Sequence, residues 1–273
     1  MLLMGLLLVL AQQSGVPSRA AGSGGASTQN FSLYGYDFGL IRRCAHTHAE
    51  TTTVTSGAFD TNIASTVLPT GGALAAVTPT MASKYMRTPH ARLPSAAATA
   101  NASVSFRPSV MWLWRGTSTR LGGFHVWLRW AIETSNGTTS TFAGVRGGTT
   151  AALACTSPTA TVDSVFMTCL SGAANASICS NDNVSTATCT DLGADFPCTT
   201  VPAFYDFMLR AEAGAASIDY TVVNLLSGVT TSGTLTTDLP RTTAFMGWEI
   251  NACNGANAGT VTLGLAMMCT TER

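Results

Sequence analysis

Hydrophobic and polar positions alternate along much of this chain, and the longest such run is FHVWLRWAI at 124–132. In an extended chain Phe124, Val126, Leu128, Trp130 and Ile132 share one side, while His125, Trp127, Arg129 and Ala131 share the other. Segment 110–115 (VMWLWR) alternates too, with Val110, Trp112 and Trp114 set against Met111, Leu113 and Arg115. Gly122-Gly123 and Asn136-Gly137 bound the longer run, so the two segments are expected to pair antiparallel at the heart of a sheet. Four of the five tryptophans lie on them. The faces of Trp112, Trp114 and Trp130 are therefore expected to organise the core, with Trp127 on the wetter side.

Short strands with turn signals between them recur downstream, at 140–146, 162–170, 176–181, 187–191, 205–211, 217–224, 229–236, 244–250 and 260–270. Hardly any segment shows the 3.6-residue period of an amphipathic helix. The fold class expected is all-β, an antiparallel β-sandwich of the jelly-roll, lectin-like kind, preceded by an extended, irregular N-terminal region. Three parts are expected: an apolar attachment peptide with a Gly/Ser/Ala linker at 1–30, an irregular β-rich region at 31–102, and the sandwich at 103–273.

Composition changes this picture in one respect. Only 10% of the 273 residues are charged and the net charge is zero, while mean hydropathy is positive. Such a surface is expected where neighbouring subunits cover it. With no basic stripe, nucleic acid is not an expected partner. No stretch reaches the ~20 apolar residues of a bilayer span. The run MLLMGLLLVL, with Leu2, Leu3, Leu6, Leu7 and Leu8, reads as a short peptide that docks into another protein. A cleaved secretory signal is the alternative, although no Lys or Arg precedes the run. Only then would the N-x-S/T acceptors at Asn30, Asn101, Asn136, Asn175 and Asn183 matter. None of the eight cysteines has C-x-x-C spacing. Cys169, Cys179 and Cys189 recur every ten residues, as strands of a meander would place them, and could come within disulfide range. Otherwise they serve as small buried hydrophobes.

The succession LWRG…LGGFHVWLRWAI…TFAGVRG, then SNDNVSTATCTDLGADFP, then YDFMLRAEAGAASIDYTVVNLLSGVTTSGTLTTDLP resembles bacteriophage structural proteins over about residues 106–270. It looks like the lectin-like β-sandwich modules that end tail-fibre, spike or capsid-fibre proteins. The resemblance implies a virion protein without enzymatic activity, homotrimeric, bound to other virion proteins, and able to meet host-surface glycans. The chain has no repetitive shaft and carries no sugar-binding signature of a named lectin family.

Among residues with chemistry, Trp127 and Arg129 on the wetter face are the expected glycan contacts, because aromatic faces stack on apolar sugar faces. Asn181, Asp182 and Asn183 form a polar loop that could hydrogen-bond hydroxyls, although Asn and Asp are also ordinary turn formers. No cofactor is expected beyond a transition metal at His46 and His48. These two residues fall on one side of a strand with Cys44, and some trimeric phage fibres bind iron through such a motif. The plain alternative is a pair of exposed histidines. Asp191, Asp195 and Asp206 are expected near turns. The GxSxG, P-loop and HExxH motifs are absent, and no catalytic residue is expected.

Overall fold

A computed structural model describes residues 41–46, 75–77, 90–95, 100–107, 111–117, 122–147, 153, 158–184 and 186–272. The attachment leucines, Leu2, Leu3, Leu6, Leu7 and Leu8, and His48 lie outside these residues.

Fourteen strands run through the described part. They are β1 (Ile41–His46), β2 (Ala75–Val77), β3 (His90–Pro94), β4 (Ser103–Phe106), β5 (Phe124–Thr134), β6 (Ser140–Gly147) and β7 (Ser164–Thr168), then β8 (Ser177–Asn181), β9 (Thr188–Asp191), β10 (Ala203–Ala211), β11 (Ile218–Asn224), β12 (Thr230–Leu235), β13 (Met246–Cys253) and β14 (Thr262–Glu272). The ten from β5 onward are the ten strands expected there, with ends moved by a few residues.

All described pairings are antiparallel, and they make two sheets. One has eight strands in the order β12-β11-β10-β5-β14-β3-β2, with β1 also on β14. The other has six, in the order β4-β13-β6-β7-β8-β9. β1 and β3 lie end to end along β14, opposite residues 267–272 and 262–265. The described strands before Ser103 thus include three that belong to the larger sheet. The core lies between the sheets, as the alternation requires. Phe124, Val126, Leu128, Trp130 and Ile132 face Val145, Val165, Met167, Trp248 and Ile250 across it, all buried. Trp130 stacks obliquely on Tyr205 at 5.7 Å, whose hydroxyl donates to the Pro197 carbonyl at 2.8 Å.

The expected partner of β5 is not the one observed. β5 pairs with β10 and β14. Segment 111–114 touches the other sheet, through a single bridge from Leu113 to Met246. Its faces are also reversed, since Leu113 and Arg115 are buried and Trp112 and Trp114 only half-buried. Arg115 is accommodated because the carbonyls of Pro240 and Ala215 accept from its guanidinium. When both faces of a segment are apolar, alternation cannot say which one points inward. Gly122 and Gly123 then carry the chain from one sheet to the other with φ of 98° and 88°.

Among the described residues, two disulfides with both partners described staple the sandwich. Cys179 and Cys189 face each other across β8 and β9 and are bonded. Cys169 is bonded to Cys198. Cys253 and Cys269 are each in a disulfide as well, and none of the described cysteines is free. The reading of cysteines as mere buried hydrophobes fails for all of these.

Candidate functional site

On β5 the alternation that buries Leu128 and Trp130 turns Trp127 and Arg129 outward, and both are half-buried. Strand register places Asp206 of β10 directly opposite Arg129, and Met208 opposite Trp127. Arg129 Nε and Nη2 donate to Asp206 Oδ1 and Oδ2, each at 2.7 Å, a bidentate fork on a nearly buried carboxylate. The hydrogen bonds that Arg129 donates to Asp206 raise the Arg129 pKa above its ordinary value, against the opposing effect of burial. The guanidinium carbon lies 5.6 Å from the centre of the Trp127 ring, close enough for a cation–π contact. Arg129 therefore covers part of one ring face and fixes the side chain. The Trp127 indole Nε1 is buried without a hydrogen-bond partner.

On the β10–β12 side of this group the described outward positions are mostly polar. Thr221 and Ser232 continue the Trp127–Met208 row, and Val223 and Thr230 continue the Arg129–Asp206 row. At the next row Thr234 Oγ1 donates to Asp219 Oδ1 at 2.8 Å. The result is an aromatic ring beside a fixed ion pair, fringed by hydroxyls. Asp206 lies mid-strand rather than near a turn. Its part in the group follows from register, which no local pattern reveals.

The polar loop at 181–183 is on the other sheet, and its residues do not join Trp127. Asn181 is fully buried and donates through Nδ2 to the Thr159 carbonyl at 3.2 Å. Asp182 Oδ1 accepts from the Val184 amide at 2.8 Å, an ordinary turn role. Only Asn183 is exposed. Because Ser180 pairs with core-facing Val165, the Asn181 side chain points to the opposite outer face of the sandwich. Asp191 accepts from the Gly193 amide at 2.6 Å, also a turn role, and Asp195 is exposed.

His46 is placed by its backbone opposite Met267 in the β1–β14 ladder. Among the described residues no group of three or more His, Cys, Asp or Glu is arranged to hold a metal ion. A small cleft of ≈ 130 Å³ opens at one end of the sandwich, between the 135–139 turn, the 169–173 turn and the 198–201 loop. Its lining is hydroxyl, glycine and aliphatic, with the Cys169–Cys198 disulfide in its wall and no carboxylate or imidazole. Asn136 builds the first turn by accepting from Thr138 N at 3.2 Å and Thr139 Oγ1 at 2.9 Å.

No family model matches the chain, and a search of curated proteins finds no match. Solved structures do match. The sandwich resembles a protein of unknown function from Shewanella oneidensis MR-1 at TM-score 0.54 and 13% identity, over 85% of this chain and 86% of that one. Peanut lectin with a 9mer peptide matches at TM-score 0.51 and 8% identity, over 86% and 97%. Arcelin-5, a lectin-like defence protein from Phaseolus vulgaris, matches at TM-score 0.50 and 10% identity, over 86% and 98%. At such identities the likeness is one of fold, and the fold is a lectin-like jelly-roll sandwich.

Proposed function

We propose that this chain is a non-enzymatic carbohydrate-binding subunit of a bacteriophage particle, homotrimeric, attached through its N-terminal peptide to other virion proteins. The Trp127–Arg129–Asp206 group on the outer sheet face carries this reading. A half-exposed indole offers an apolar surface to the carbon face of a sugar ring. The ion pair and the hydroxyls beside it offer fixed acceptors and donors for sugar hydroxyls, at little entropic cost because both charged side chains are already ordered. The group sits on a lectin-like sandwich, and the low charge of the sequence favours a chain that lives in an assembly. Among the described acids, Glu133, Asp163, Asp206, Glu212 and Glu249 are each engaged by an arginine, and the described cleft at the end of the sandwich is lined by no carboxylate. A glycosidase needs two available carboxylates about 5–10 Å apart in a cleft.

An array of neutral bacterial-surface glycans, probed with the full chain, tests the binding. The chain should retain at least one glycan, and Trp127→Ala and Asp206→Asn should each lose it. If no glycan is retained while sedimentation shows a stable trimer, the chain is instead a purely structural capsid or tail subunit without receptor binding. Antibody against the chain should label purified particles, and failure to do so ends the virion assignment.

A further inference from the structure

The cleft at the end of the sandwich has walls that are tied in place independently of any ligand. Asn136 Nδ2 donates to the carbonyls of Asn254 at 2.8 Å and Asn257 at 3.0 Å, which fixes the 135–139 turn. The Cys169 amide donates to Thr141 Oγ1 at 2.9 Å, and the Ala173 amide donates to the Leu170 carbonyl at 2.9 Å, which fixes the 169–173 turn. The Cys169–Cys198 bond then holds the 198–201 loop against that turn, helped by the Cys198 amide, which donates to the Ala174 carbonyl at 2.8 Å. With its walls already ordered, the cleft leaves little conformational entropy for a ligand to remove.

Its chemistry divides into a floor and a mouth. Ile132 and both cystine residues are buried, and half-buried Leu170 and Val201 complete an apolar floor. Gly137, Gly172 and Thr199 are exposed at the mouth. Thr139 Oγ1 is committed to Asn136, donating to Oδ1 at 2.9 Å and accepting from the amide at 3.2 Å. Ser135 Oγ accepts a long hydrogen bond from the Gly137 amide at 3.4 Å, and its own O–H remains a donor. No charged side chain lines the cleft among the described residues, so a carboxylate or ammonium group would enter at a desolvation cost without a counter-charge. An apolar cavity of about 150 Å³ takes one benzene ring. At ≈ 130 Å³ this cleft admits one substituent, not a whole hexose.

We propose that the cleft takes the acetamido group of a neutral 2-acetamido sugar, whose ring stays at the mouth. The methyl group meets Ile132, Leu170, Val201 and the disulfide. The planar amide lies at the level of the hydroxyls, where Ser135 donates to its carbonyl and Thr199 accepts from its N–H. An acetamido group joins a terminal methyl to one donor and one acceptor without charge, and it projects far enough from the ring to enter. A 6-deoxy methyl sits directly on the ring and brings no amide. Trp127 lies five residues along β5 from Ile132, about 17 Å at strand spacing. The cleft is therefore a second site, and either site can fail without the other.

Titration of the full chain with the methyl glycoside of N-acetylglucosamine, followed by ligand-detected NMR, tests the proposal. Saturation should reach the acetyl methyl most strongly, and methyl glucoside should bind at least tenfold more weakly. The N-formyl analogue lacks only the methyl and should lose about fourfold, the worth of one buried methyl group. Ala173→Leu should fill the cleft and weaken binding at least tenfold, with an unchanged circular dichroism spectrum. Thr199→Ala, at an exposed position, should weaken binding about threefold through one lost hydrogen bond, and it keeps the test decisive if Ala173→Leu does not fold. Trp127→Ala should leave the affinity unchanged. Equal binding of the acetamido sugar and methyl glucoside would overturn the proposal. So would no binding at all, an N-formyl analogue that binds as tightly, unaltered affinity in folded Ala173→Leu or in Thr199→Ala, or binding that Trp127→Ala abolishes.

Discussion

Replacing Trp130 by Ala should cost far more stability than replacing Trp127, although the two residues lie three positions apart on one strand. Trp130 is completely buried between the sheets, in contact with Tyr205. Truncating a core tryptophan costs roughly 3–5 kcal/mol through lost transfer energy and the cavity left behind. Its Nε1 has no hydrogen-bond partner, so no hydrogen bond is lost, and removing a buried unsatisfied donor recovers part of the cost. The lower half of that range, about 3–4 kcal/mol, is therefore expected. Trp127 is half-buried and loses a partial packing surface plus a cation–π contact, together about 1–2 kcal/mol. Guanidinium unfolding under non-reducing conditions, followed by far-UV circular dichroism, separates them. With an m-value on the order of 4–5 kcal/mol per molar, Trp130→Ala should move the midpoint by about 0.7–1 M, and Trp127→Ala by under about half of that. Equal shifts, or a larger one for Trp127→Ala, would mean that the outward face of the eight-stranded sheet is the true core side.

Glu249→Gln should weaken the buried carboxylate site that accepts from Arg146, Ser105 and the Leu153 amide and destabilise the chain by roughly 3–5 kcal/mol, read as a loss of thermal midpoint that Trp127→Ala does not match. Gly144→Ala should prevent β6 and β7 from closing, because the added Cβ would lie 2.2 Å from the Val165 carbonyl oxygen and 2.6 Å from Phe166 Cα. Both are backbone atoms, so a cost of about 3 kcal/mol or more is expected, visible as poor yield of folded protein. Burial raises the Tyr205 pKa above its ordinary value. Its contribution to stability is thus complete below the unfolded phenol value of about 10 and declines as pH rises beyond it. Unfolding curves between neutral pH and pH 11 should show that decline, and Tyr205→Phe should flatten it.

The sequence by itself determined where β5 to β14 lie, because period-two alternation bounded by Gly, Asn and Asp is a local property of the chain. It also determined that Trp130 points inward and Trp127 outward, since a half-buried strand leaves one side polar. Sheet membership was another matter. Segment 111–114 reads as a partner for β5, yet it bridges to Met246, because both of its faces are apolar and only the packed core can choose between them. Arg107, Arg146 and Glu249 are scattered over the sequence and meet only through the β4–β13–β6 register. Likewise Arg129 finds Asp206 through β5–β10 pairing across a separation of 77 residues. Alternation specifies a face, whereas the partner on that face depends on long-range register, which is settled when the two sheets close over a common core.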